Sequence, residues 1–403
     1  MTRTTVFDRG SNWVELPGPP EPLPPHAAVT IVGGGVMGVS TACQLARAGV
    51  GSILVIERNV LGSGSSAKPL GGVRATFSDP GNILLAQRSL EAFERFGVEF
   101  GVDIALRQVG YLFLCRTEKE LAAVESSMEL QNRLGGSSEM VSPGQAAQLN
   151  PFIDSSVLVG ASFSPRDGYA DPGQVVRGYA DAARNLGVVF SEQTEVTAIE
   201  TNDGRVTAIR TSHGQVRTDT VICTAGAWSQ PVGEMAGVLL PVVPVRRQIG
   251  FTGPLMQPMP TVPFTLDLGS TLYFHNAGDG LLLGISDPGQ SPDFGREFSY
   301  EWLSAFDKAA AVVAPSLVGV RLEAGWAGLY ENTPDHNALI GRAHTPRNFL
   351  YATGFSGHGF LQAPAVGELV TDLFLERDSF MDPHPFRADR FRDAEVLSEV
   401  HII

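Results

Sequence analysis

Apolar positions along this chain recur with two periods. From Ala27, AVTIVG is a short, β-branched apolar run, VMGVSTACQLARAG has small and apolar residues at helical spacing, and SILVIE is a second apolar run. That order predicts a strand, a helix and a strand within about thirty residues, a βαβ unit. In NILLAQRSLEAFERFG, Ile83, Ala86, Leu90 and Phe93 share one helical face, with Asn82 as the expected cap and Gly97 as the stop. DPGQVVRGYADAARNLG (171–187) predicts another helix, capped by Asp171, opened by Pro172 and ended by Gly187. Three strand-like runs follow, separated by NDG (202–204) and SHG (212–214), a β-meander that ends in VICTAGAWS. Between 241 and 300, RRQIGF, STLYFHN and GLLLGIS alternate with turn residues and predict a second, mainly antiparallel sheet. The last helix is expected in APAVGELVTDLFLE, with Pro364 near its start and Val366, Leu369, Val370 and Leu373 facing inward. No internal repeat interrupts this order.

Composition narrows the class. At 403 residues with 43% hydrophobic and 18% charged, the chain is globular and long enough for two domains. A net charge of −14 with no basic cluster argues against a nucleic-acid partner. The greasiest run, AGVLLPVVPV (236–245), is too short and too proline-broken for a membrane helix, and MTRTTVFDRGSNW has no apolar signal core. Cys43, Cys115 and Cys223 have neither metal spacing nor the look of a disulfide framework. A cytoplasmic protein without metal or membrane partner is expected.

GGGVMG (33–38) sits between the first strand and its helix and fits G-x-G-x-x-G through Gly33, Gly35 and Gly38. Gly33 permits the tight turn, Gly35 lets a pyrophosphate approach the backbone, and Gly38 packs helix on strand. The N–H groups around Val36 and Met37 open the helix toward phosphate. Glu57, followed by Arg58, ends the next strand and suits ribose hydroxyls, whether the dinucleotide is FAD or NAD. The long loop LGSGSSAKPLGGV (61–73), rich in small residues, suits a chain lying along a bound cofactor.

These stretches, together with VICTAGAWS, PVRRQI, GLLLGISDP, GWAGLYENTPDHNALIG and GFSGHGF, resemble the glycine oxidase, sarcosine oxidase and D-amino acid oxidase family of flavoproteins over residues 27 to 393. The chain most resembles the β-subunit type of sarcosine oxidase and proline dehydrogenase β-like proteins. The resemblance implies an α/β chain (α+β overall) with a Rossmann-type FAD-binding domain and a second, mainly antiparallel β substrate domain. The expected division is a Pro-rich N-terminal extension at 1–26, a discontinuous FAD-binding domain at 27–105, 155–240 and 320–380, a substrate domain at 106–154 and 241–319, and a C-terminal tail at 381–403.

The resemblance also implies individual roles. Ser65, Ser66 and Lys68 match the loop along the pyrophosphate and ring. Val196 matches the position whose backbone meets adenine, and Ala225 and Gly226 match the loop over the nucleotide. Gly357, His358, Gly359 and Phe360 match the C-terminal loop beside the ring. The helix start near Leu361–Pro364 would point its dipole at the pyrimidine side. Monomeric sarcosine oxidases attach FAD through a cysteine where this chain has Gly328, and dimethylglycine dehydrogenase-like relatives use a histidine in the loop after Glu57, which has none here. Noncovalent FAD is therefore expected. Two family lysines are replaced by Leu361 and by leucines at 281–283, which makes sarcosine and a fast reaction with oxygen doubtful.

On the substrate side, Arg74 matches the family arginine that grips a carboxylate. Tyr330 matches a position above the ring, and His275 lies on a strand expected to line the cavity, where it would orient an amine or accept its proton. Either Arg246 or Arg247 points inward. Asp335 and His336 are expected to be structural. The implied chemistry is oxidation of a C–N bond in a small amine or N-substituted amino acid to an imine, with hydride passing to flavin N5 and on to O2 or another acceptor. A specialised biosynthetic intermediate as substrate, or a non-catalytic flavin-bearing subunit or assembly factor of a larger complex, are the alternatives; an oligomer or partner subunit fits each.

Overall fold

In the computed structural model, residues 5–6, 14–15, 22–67, 70–287, 289–392 and 398–399 are described. Strands Val189–Ser191, Ile53–Ile56, His26–Val32, Gly214–Cys223 and Phe349–Thr353 lie side by side in parallel. The expected βαβ unit is its centre, with helix Val36–Arg47 between His26–Val32 and Ile53–Ile56. The meander Val196–Asn202, Arg205–Thr211 and Gly214–Cys223 extends the sheet on one side. Helices Val36–Arg47, Pro80–Phe100, Pro172–Asn185 and Gly359–Leu375 cover one face around a common apolar core.

The second sheet has eight strands and is antiparallel except for one pair, Phe264–Asp267 beside Tyr111–Cys115. One of its faces packs aliphatic residues under helix Leu303–Val313. The other carries the buried aromatics Tyr111, Phe264 and Tyr273. Strands Gly160–Ser164 and Leu322–Asn332 belong to this sheet. Both fall in segments that the sequence assigned to the FAD-binding domain, because pairing across tens of residues leaves no local mark.

Local signals set most boundaries. Asp171 accepts the N–H groups of Gly173 and Gln174, Pro172 opens the helix, and Gly187 turns left-handed at φ +88°, as expected. The helix after it in interest, Pro80–Phe100, is capped by Asp79 rather than Asn82; Asn82 is buried and donates to Asn337. Its stop is Gly101, not Gly97. The last helix begins at Gly359, so Pro364 lies inside it. Of the Pro-rich extension, Thr5–Val6 pairs with Val14–Glu15. The segment expected as a tail packs against the body: Phe386 is buried, and the Glu399 carboxylate accepts from the Ser78 hydroxyl (2.7 Å), the N–H groups of Ser78 and Asp79, and Asn82. Asp335 is structural, as expected, taking both arms of the Arg390 guanidinium at 2.8 Å. Among the described residues no helix is long and apolar enough to cross a membrane.

Candidate active site

The carboxyl ends of the parallel strands open into a cavity of about 340 Å³. Its first wall is the glycine turn. Gly33 takes φ +109°, and a Cβ there would stand 2.4 Å from the Thr224 carbonyl oxygen. A Cβ on Gly35 would meet only Ser66 Oγ, at 3.1 Å, so Gly35 is the glycine that keeps the cavity open. Ser66 Oγ accepts the Val36 N–H at 2.8 Å, and Val36 and Met37 present the helix start to the cavity. Glu57 lines the same wall and accepts the Gly34 and Asn59 N–H groups, each at 2.9 Å. Burial raises its carboxyl, and those two N–H groups oppose the rise. Val196, Ala225 and Gly226 line the same cavity, as does Arg58, whose guanidinium stands 3.8 Å over the Trp228 ring.

The far end is built by the second sheet and the C-terminal loop. Ser65 donates to the Leu329 carbonyl at 2.7 Å, tying the cofactor loop to strand Leu322–Asn332. Gly328, Tyr330, Gly357, Gly359 and Phe360 line this end. The helix dipole meets the cavity at Gly359, earlier than expected. Lys68 lies outside the described residues. A helix start whose cap residue, Gly35, has no side chain, a carboxylate at the neighbouring strand end and a mostly apolar chamber fit a dinucleotide with a flat aromatic end.

A smaller cavity of about 40 Å³ adjoins this end and shares Leu70, Tyr330, Gly357 and Phe360 with the large one. Arg74, Tyr111, Phe264, His358 and Leu361 also line it, with Gly72 and Ser356. Arg74 is fully buried, donates to the Thr76 carbonyl and stands 4.2 Å over the Phe77 ring. Burial lowers the guanidinium's pKa. Its Nη2 lies 3.4 Å from His358 Nε2; a guanidinium only donates, so His358 Nε2 is the acceptor. His358 therefore turns to Arg74 rather than into the large cavity. Asp167, buried and pushed up to about 7, accepts the Ala75 N–H at 3.1 Å and holds the Arg74 loop.

The expected trio is only partly assembled. Arg74 and Tyr330 share the small cavity, but His275 lines neither cavity. It packs at 4.7 Å from Phe264 and 4.6 Å from Tyr169, bonds the Asn276 carbonyl through Nδ1 (2.7 Å), and burial takes it down to about 4. Tyr273, two residues earlier on the same face, reaches the large cavity in its place. The open choice between arginines resolves to Arg247: it lines the large cavity, while Arg246 turns to Gln290 and the Glu297 carbonyl. Leu281 and Leu283 sit in the core beneath helix Leu303–Val313, and Leu361 packs with Phe77. Sequence reasoning also missed Glu331. It lines the large cavity, accepts from Thr353 Oγ1 (3.2 Å), and burial lifts it to about 7 against the N–H groups of Gly354 and Phe355. Its position next to Tyr330 was the only sequence signal.

Residues 28–373 match the family model described as DAO, FAD dependent oxidoreductase, and the chain belongs to that family. FAD is thus its cofactor. The chain is 31% identical to FAD-dependent oxidoreductase domain-containing protein 1 of Bos taurus, over 94% of this chain and 87% of that protein. It is 26% identical to 4-methylaminobutanoate oxidase (formaldehyde-forming) of Paenarthrobacter nicotinovorans over 92% of this chain, and spans 46% of that protein's length. The crystal structure of L-proline dehydrogenase from P. horikoshii superimposes with a TM-score of 0.87 at 30% identity, covering 92% of this chain and 99% of that one. The family resemblance read from the motifs is borne out.

Proposed function

We propose that this chain oxidises the C–N bond of a small amine or N-substituted amino acid to an imine, with noncovalent FAD. The observation that carries this is the junction of the two cavities, where Arg74 and Tyr330 meet at the end of the FAD chamber. The chemistry FAD supplies when bound is acceptance of a hydride from the carbon beside nitrogen. The chain's own contribution is positional. Arg74 offers a bidentate fork to a carboxylate. Burial raises the Tyr111 and Tyr330 hydroxyls, so both stay protonated and donate. Leu70, Phe264, Phe360 and Leu361 keep water from the reacting carbon. An amine entering neutral needs no strong base, in keeping with a neutral, withdrawn His275.

At the other end, the start of helix Val36–Arg47 would hold the diphosphate and Glu57 the ribose hydroxyls. Electrons leave to O2 or another acceptor, and a partner subunit is compatible with the half-length match to the 4-methylaminobutanoate oxidase. Three free, buried cysteines suit a reducing cytoplasm. Anaerobic titration of the holoprotein with a panel of secondary amines and N-methyl amino acids tests the reading. At least one should bleach the flavin stoichiometrically; a flavin that none reduces would overturn it.

A further inference from the structure

Arg247 puts a cation beside the large cavity. It projects from strand Val243–Thr252 opposite Gly328, and its guanidinium stands 5.3 Å over the Tyr330 ring. Its Nη1 donates to the Arg246 carbonyl at 3.2 Å, and its Nε is buried with no partner. No carboxylate pairs with it among the described residues. The Tyr273 and Tyr330 hydroxyls feel its charge, and both are held protonated by burial. Arg247 is half-buried, and its buried Nε–H without an acceptor costs free energy, so a group that supplies acceptor oxygens is expected to occupy the space in front of it.

Arg74 reaches Tyr330 from the small cavity, and Arg247 reaches it from the large one. A ligand with a single carboxylate satisfies only one of the two. We infer that Arg247 forms a second anion subsite, and that the substrate is an amine bearing two carboxylates, one held by Arg74 and the other by Arg247, as in an N-carboxyalkyl amino acid or an amino dicarboxylate. The C–N bond then lies beneath Tyr330, between the two forks. This rests on the proposed C–N oxidation and narrows its substrate class.

The test uses the holoprotein and unreactive ligands, read by perturbation of the flavin absorption spectrum. Acetate, propionate and butyrate are compared with malonate, succinate and glutarate, as are N-methylglycine and iminodiacetate as reductants. The dicarboxylate of best length should bind at least tenfold more tightly than its monocarboxylate counterpart. Arg247→Gln should erase that preference while leaving monocarboxylate affinity within about twofold, and Arg247→Lys should restore part of it. Equal affinities in the wild type, or a preference that survives Arg247→Gln, would overturn the subsite. So would an Arg247→Gln protein with unchanged ligand selectivity but a shifted flavin potential and weakened sulfite binding, which would make the cation a partner of the cofactor. If monocarboxylate amines reduce the flavin without any dicarboxylate advantage, the second subsite fails and C–N oxidation stands. If no amine of either kind reduces it, C–N oxidation itself fails.

Discussion

A methyl group on Gly38 would stand 1.9 Å from the Gly33 carbonyl oxygen. The first turn of helix Val36–Arg47 therefore rests directly on the residue that turns the chain out of its first strand. Gly35, between them, touches only the cavity side.

The three glycines should fail differently. Gly38→Ala is expected to destabilise the fold by about 1–3 kcal/mol or more, since backbone must move. Gly35→Val should yield a folded, colourless protein, because its side chain enters the diphosphate's place. Circular dichroism with flavin content per chain separates the two, and full flavin in folded Gly35→Val would refute the placement.

Glu331 gives a pH signature. Its folded pKa is raised from 4.5 to about 7, so the folded state holds a proton that the unfolded state releases. Stability from this group is complete below about pH 4.5 and is lost as pH rises through 7. Glu331→Gln cannot lose it, and should exceed the wild type by about 1–3 kcal/mol at pH 8 while matching it near pH 4.5. Denaturant unfolding of the apoprotein at both values measures this. An equal gap at the two values would show that Glu331 does not titrate in that window.

Arg74→Ala should weaken turnover of a carboxylate substrate by about 2–4 kcal/mol in kcat/KM, as for a charge-assisted pair in a partly desolvated site. Arg74 also bonds the Thr76 carbonyl and covers Phe77, so some stability is lost as well. Arg74→Lys, which keeps the charge but loses the fork, should recover part of the activity. Steady-state kinetics on protein shown to be folded by thermal melting decides. Unchanged kcat/KM in both variants would remove Arg74 from the substrate.

Acid precipitation should release all the flavin into the supernatant. Gly328 offers no thiol at the attachment position of the thioether relatives, and Cys43, Cys115 and Cys223 are buried away from the cavity lining. Colour retained in the pellet would reveal a covalent link.

Features written in adjacent residues were legible beforehand. The Gly33–Gly38 turn, Glu57 at its strand end, and the Asp171–Pro172 helix start depend on local sterics and capping, and each lies where the sequence put it. Competition between local signals obscured others. Asp79 outcompeted Asn82 as cap because Asn82 is drawn into a buried network with Asn337, and Pro364 did not open its helix because the chain already turns helical at Gly359. Alternation along a strand says that Arg246 and Arg247 oppose each other; pairing with Leu322–Asn332 chooses the face. Tyr273 and His275 share a face, yet only the longer phenol at the nearer position reaches the chamber.

Ser40 of helix Val36–Arg47 donates to the Ala363 carbonyl at 2.8 Å, and a Cβ on Gly367 would stand 2.4 Å from that same hydroxyl oxygen. The helix that follows the glycine turn is thus covered by a helix more than three hundred residues later in the chain. On a ribosome adding about 5–20 residues per second, the gap between the two is on the order of 15–65 s. During that interval helix Pro172–Asn185 can pack on the early βαβ unit, but the flank that the late helix covers has no partner. A nascent chain stalled before the late helix therefore leaves that apolar flank exposed, the kind of surface on which incomplete chains aggregate.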